Sequence, residues 1–240
     1  METGLITIDS VPDQLAASGL VYDDELAGLF QSQQQGWHLP IVRVEHSDTS
    51  SSHRFYLDTG ESYLDGERIT PIGDRVTGAV FAEQTLRALW RTDEVRPQCV
   101  SINDQPTCDD PITQRCRDCP ESLIATGQCR QKGRLFIVAS VCDEVMPVVI
   151  NLPPTSLKHL YRHKTRLYRS GLPAIAVNTV FTLRDVQRNG FRYAEIHIGI
   201  DGLAPKPMLD LAAQARTELI CAMGQVTPSD YIEEGDKIPF

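Results

Sequence analysis

Apolar residues recur along this chain in two rhythms: every second position over short runs, and every third or fourth over two longer ones. From Pro40 the short period dominates. Ile41, Val42 and Val44 predict one strand, Phe55, Tyr56 and Leu57 a second, and Val76 to Phe81 a third. Ser47 to Ser52 reads as a polar loop, and Thr59-Gly60-Glu61 and Asp65-Gly66 read as turns. Two runs, Leu135 to Val141 and Val145 to Leu152, flank Cys142-Asp143-Glu144, a spacing that predicts a β-hairpin. Ala174 to Leu183 and Phe191 to Ile200 alternate as another strand pair around Asn189-Gly190.

The longer period occurs twice. Pro153-Pro154-Thr155-Ser156 is a break followed by an N-cap, so a helix is expected from about Leu157 to Arg169, ended by Gly171 and Pro173. Leu157, Leu160, Tyr161, Leu167 and Tyr168 fall on one face; Lys158, Arg162, Arg166 and Arg169 fall on the other. A last helix fits Pro207 to Met223, with Leu209, Ala212, Leu219, Ile220 and Met223 as its apolar side. Residues 1–36 mix acidic and small side chains and read as a short helix or arm. The pattern predicts a β-rich α+β fold, an OB-type barrel over residues 1–226, followed by a polar tail over 227–240.

With 240 residues, 41% hydrophobic and 23% charged, the chain is unlike a disordered segment, a collagen repeat or a coiled coil. Its longest apolar runs fall well short of the ~20 residues of a membrane span. Met1 to Gly4 lack the basic and apolar regions of a secretory signal, so a soluble cytoplasmic protein with no membrane partner is expected. The net charge of −9 hides an uneven distribution. Residues 1–110 hold 7 Lys and Arg against 19 Asp and Glu; residues 111–200 hold 13 against 6; residues 201–240 hold 3 against 7. A basic working surface between acidic flanks has this profile.

Five of the 7 cysteines crowd into one stretch: Cys99, Cys108, Cys116, Cys119 and Cys129. In a reducing compartment such clustering points to metal rather than disulfides. Cys116-Arg117-Asp118-Cys119 is a knuckle that lets two thiolates reach one tetrahedral ion, and Cys129 follows a Gly that permits a tight turn. The fourth ligand is either Cys99 or Cys108. Residues 97–133 contain few large apolar side chains, so a structural Zn²⁺ in an inserted subdomain would supply what burial cannot. Cys142 and Cys221 lie in apolar contexts and are expected in the core.

Ser156 to Arg169 carries Lys158, Arg162, Lys164, Arg166 and Arg169, with His159 and His163, and no acid. Arg130, Lys132 and Arg134 form a second cationic group, and Arg184, Arg188 and Arg192 a third. Cations free of carboxylates track phosphates, and aromatic rings between them stack on unpaired bases. Tyr56, beside Arg54, and Tyr193, beside Arg192, are the expected stacking rings. His159 and His163 stand four apart, but no Glu follows His159 and five cations crowd the helix, so phosphate contact or solvation is expected for both. No carboxylate cluster, nucleophile elbow or phosphate-binding glycine loop is present, and no enzyme is expected.

The chain ends Glu233-Glu234-Gly235-Asp236-Lys237-Ile238-Pro239-Phe240. This resembles the C-terminal tip of bacterial single-stranded DNA-binding proteins, an acidic run followed by Ile-Pro-Phe, although Gly235 and Lys237 interrupt the acids here. The resemblance implies that Asp236, Ile238, Pro239 and Phe240 dock on replication or recombination proteins. Cys99, Ser101, Cys116 to Pro120, Cys129 and Pro153 to Lys158 are similar to a pattern in phage- and mobile-element proteins. That resemblance implies Cys99, Cys116, Cys119 and Cys129 as the zinc ligands. The expected function is a protein, alone or as a homo-oligomer, that coats single-stranded DNA of a mobile element. The alternative is a zinc-bearing adaptor or transcription regulator that binds only protein.

Overall fold

The computed structural model describes residues 39–45, 53–59, 69–91, 97–123, 127–188 and 191–219, all in the unit His38–Phe240. The expected N-terminal arm, the loop and turns over 46–52, 60–68 and 189–190, Cys221 and the tail lie outside the described residues. Ten strands and two helices make a strand-rich α+β fold. The strands are β1 (Ile41–Glu45), β2 (Arg54–Asp58), β3 (Ile69–Gly73), β4 (Arg75–Leu89), β5 (Cys99–Ile102), β6 (Gln105–Pro106), β7 (Arg130–Val141), β8 (Glu144–Leu152), β9 (Val177–Arg188) and β10 (Phe191–Leu203). The helices are α1 (Leu157–Arg169) and α2 (Lys206–Leu219).

All strands join one mixed sheet in the order β10-β9-β4-β7-β8-β1-β2-β3, with β5 and β6 added beside the far end of β4. Only the β1–β8 pairing is parallel among the described residues. The strand path has free ends at β10 and β3, so the described ladder carries no barrel closure. β4 binds β7 along one edge; its other edge serves β9 at Arg75–Gly78 and β5 at Leu86–Leu89.

The central strands are covered on both faces, which is why β7 reads as an unbroken apolar run. Leu135, Ile137, Ala139 and Val141 face the cluster that includes Leu157 and Leu160 of α1. Phe136 and Val138 face the opposite cluster, built with Met208, Ala212 and Ala215 of α2. A bulge between Val80 and Ala82 shifts the alternation of β4, so Phe81 and Ala82 both pack toward α2.

The β7–β8 hairpin closes in two residues, Cys142 and Asp143, both at positive φ (52° and 66°). Those dihedrals match the right-handed twist of the strands. They also place Cys142 at an exposed turn, not in the core as its neighbours suggested.

Gly78 is fixed by packing. A Cβ there would lie 2.5 Å from the Val138 carbonyl oxygen in the facing strand. Gly78→Ala is therefore expected to lower stability by about 1–3 kcal/mol, seen as an earlier urea midpoint at unchanged slope.

Candidate functional site

Helix α1 has the predicted limits but a different seating. Ser156 makes no capping bond at its own helix; its buried hydroxyl accepts the Ile196 N–H of β10 at 2.9 Å. Gly133 on β7 lets Leu157 approach, since a Cβ there would lie 3.1 Å from the Leu157 Cδ2. At the other end Gly171 (φ 64°) completes a Schellman cap, its N–H donating to Tyr168 O and that of Leu172 to Leu167 O.

The buried face of α1 consists of Leu157, His159, Leu160, His163 and Leu167. The two histidines expected to meet phosphate or water are buried, because they have polar partners on the sheet. The two tyrosines expected to pack inward are turned out: Tyr168 is 87% exposed and Tyr161 50%. Tyr161 is steadied by Gln131, whose Nε2 donates to its hydroxyl at 2.8 Å.

Lys158, Arg162, Lys164, Arg166 and Arg169 share the exposed side with these rings. Lys158 and Lys164 are engaged by Glu195 and Glu83. Arg162, Arg166 and Arg169 form no ion pair among the described residues. A patch of two rings and three uncommitted guanidinium groups results.

The other predicted DNA contacts do not join this patch. Lys132 and Arg134 are buried, and Arg134 lies over the Phe136 ring at 6.0 Å, on the α2 side of the sheet. Strand alternation puts Arg130, which is exposed, on that same side. Tyr193 is also buried, so it has no free face for a base. Arg192 is held by Asp185 through Nε at 2.9 and 2.7 Å. Arg54 and Arg188 are exposed on β2 and β9, and Tyr56 is half-buried. The single groove expected from the sequence is thus divided between two sheet faces. Asp236, Ile238, Pro239 and Phe240 lie outside the described residues.

Under α1, His159 Nε2 meets Glu195 Oε2 at 3.1 Å, and His197 Nε2 stands 3.8 Å from the same oxygen. Lys158 Nζ holds the other oxygen, Oε1, at 2.7 Å. Burial raises the Glu195 carboxyl, but hydrogen bonds from Lys158 and His159 and their charges outweigh it and hold it below its usual range. Among the described residues these three are the group of His, Cys, Asp or Glu whose ligand atoms all lie within 4.8 Å of one another. The carboxylate that the helix sequence lacks comes from β10.

The thiols gather at the end of β4. Cys116 and Cys119 are buried in consecutive 3₁₀ turns, tied by the Ser122 hydroxyl to the carbonyls of both. Cys129 is placed by its N–H to Glu121 O at 2.9 Å, a fold-back possible only because Gly127 has no side chain: a Cβ would lie 2.0 Å from that carbonyl oxygen. Cys99 and Cys108 bring their Sγ atoms to 3.5 Å. As a thiol, Cys99 is pushed up to about 11 by burial and then by its bond with Cys108; burial likewise pushes Cys129 up to about 11. Around them only Leu86 and Ala88, with Trp90, Val100 and Ile102, form an apolar cluster.

The buried His163 faces Thr179, at 3.5 Å, and burial, then the nearby Arg166, hold its pKa below 6.5. A histidine kept neutral stabilises the fold above the pH where the unfolded imidazole titrates and costs stability below it. Stability is therefore expected to hold above about pH 6.5 and to fall below it, and His163→Asn to flatten that fall. Urea midpoints of both chains at several pH values measure this; parallel curves would contradict it.

A scan of protein-family models matches no family to this chain, and searches of curated proteins and of solved structures find no match either.

Proposed function

We propose that this chain binds single-stranded DNA across the outer face of α1, coating the strand during replication or recombination of a mobile element. The observation that carries the reading is the exposed patch in which Tyr161 and Tyr168 alternate with the unpaired Arg162, Arg166 and Arg169. Guanidinium groups without carboxylate partners neutralise phosphates and release counterions, and exposed rings stack on bases that a duplex keeps covered. Arg54 and Arg188 extend the cationic surface. The tail from 227 to 240, through Asp236, Ile238, Pro239 and Phe240, recruits partner proteins.

In this reading the cysteine loops hold a structural Zn²⁺. Cys99, Cys116, Cys119 and Cys129 remain the proposed ligands, with Cys108 near enough to Cys99 to substitute for it. A closed tetrahedral site needs sulfurs about 3.8 Å apart. The Cys99–Cys108 pair is already at that spacing, whereas no three of the sulfurs lie within 4.8 Å of one another, so the ion draws the loops together. An OB-type barrel belongs to the same proposal as the scaffold of this surface.

Fluorescence anisotropy with labelled oligo-dT is the direct test. Affinity should fall with salt and duplex should bind much more weakly. Tyr168→Ala, at an exposed position, is expected to weaken binding by roughly 5- to 100-fold, the worth of one stacked base. Arg162→Ala should lessen the salt slope by about 0.7. Salt-independent or absent binding would overturn the proposal. Zinc is read separately: the metal should leave in step with mercurial modification of the thiols, and Gly127→Ala should reduce the zinc content.

A further inference from the structure

We propose that His159, Glu195 and His197 form a second, independent site for a divalent transition-metal ion, seated between α1 and β10. Glu195 and His197 are two apart on one strand and so project from the same side of the sheet. The Ser156–Ile196 hydrogen bond pins the start of α1 to the residue between them, which brings His159 over both.

The spacing fits an ion better than it fits a bare hydrogen-bond network. Ligand atoms around a tetrahedral ion with bonds of about 2.0–2.1 Å sit about 3.3 Å apart. The two distances to Glu195 Oε2, 3.1 and 3.8 Å, bracket that value. At 3.8 Å the His197 nitrogen is beyond hydrogen-bond reach of the oxygen it faces. The two imidazole rings lie with centroids 3.8 Å apart, an arrangement that two imidazolium cations would resist and two neutral ligands tolerate. Lys158 occupies only Oε1, which orients the carboxylate as an outer partner and leaves Oε2 to the ion.

Two imidazoles and one carboxylate select Zn²⁺, Co²⁺ or Ni²⁺ over Ca²⁺ or Mg²⁺, which prefer oxygen alone. The side chains of His159 and Glu195 are 9% and 7% exposed, whereas that of His197 is 27% exposed. Three protein ligands leave a fourth position on that more open side. This distinguishes the site from the closed thiolate cluster, which offers no vacancy to an outside ligand.

Cobalt titration of the full chain separates the two sites. Co²⁺ in the cysteine loops gives sulfur-to-metal charge transfer in the near ultraviolet; Co²⁺ bound by His159, Glu195 and His197 gives only weak visible bands. His197→Ala is expected to lose one equivalent of Co²⁺ in equilibrium dialysis, with the charge-transfer bands unchanged. His163→Asn, which alters the other buried histidine of α1, should keep that equivalent. Retention of both equivalents by His197→Ala would overturn the proposal, as would loss of the equivalent in His163→Asn instead. Far-ultraviolet circular dichroism of both variants shows whether the fold is retained. Should His197→Ala unfold, a Co²⁺-dependent rise in Tm of the wild-type chain with the thiols blocked by mercurial supports the site, and no rise overturns it. Neither result depends on oligo-dT binding.

Discussion

The seating of α1 on the sheet is the constraint from which the rest of this molecule follows. A helix with five cations and two histidines in thirteen residues does not pack on apolar strands by periodicity alone. It is held by a missing side chain, at Gly133, and by one hydroxyl, at Ser156, spent on β10 rather than on the helix's own cap. Once those two points are fixed, the rotation of the helix is decided. The histidines turn to polar partners on β9 and β10, and the tyrosines have nowhere to go but outward.

That rotation separates the charged residues by role. Glu195, the buried carboxylate facing α1, is answered by Lys158 and His159, and Glu83 answers Lys164, so the acids near the helix are used up at its margins. The arginines farther round are left without a local counterion. A chain with a net charge of −9 thereby presents one strongly cationic surface, and its sum charge conceals what its surface offers. The sheet supports this division by being covered twice, with α2 protecting the face to which Lys132, Arg134 and Phe136 belong.

Elements with strong punctuation were legible in the sequence. The limits of α1 follow from Pro153-Pro154 before it and Gly171 after it, and the β7–β8 hairpin follows from two apolar runs with a short gap. The faces of α1 were not legible. Counting Tyr as apolar and His as polar predicts the reverse of what is seen, because the partners that decide the matter, Glu195, His197 and Thr179, come from strands more than fifteen residues away. β4 extends to Leu89, well past the predicted Phe81, because the bulge at that residue shifts the alternation and hides Leu86 and Ala88 among polar neighbours. β5 and β6 escape notice for a similar reason: they are short, and their turn at Asn103 and Asp104 uses positive φ without a glycine. The crowding of cysteines is plain in the sequence, but the closeness of Cys99 to Cys108 depends on how that hairpin closes.

The parallel pairing of β1 with β8 bears on how the chain reaches this state. Ile41 lies beside Val149, over a hundred positions later, while β7 and β8 join through a two-residue turn. Loop-closure entropy favours the local hairpin first, with β4 next. During synthesis β1 emerges long before its neighbour exists, and it waits beside β2 with its other edge unoccupied. Assembly of the sheet is therefore completed from the middle of the chain outward, and the earliest described strand is among the last to find its place.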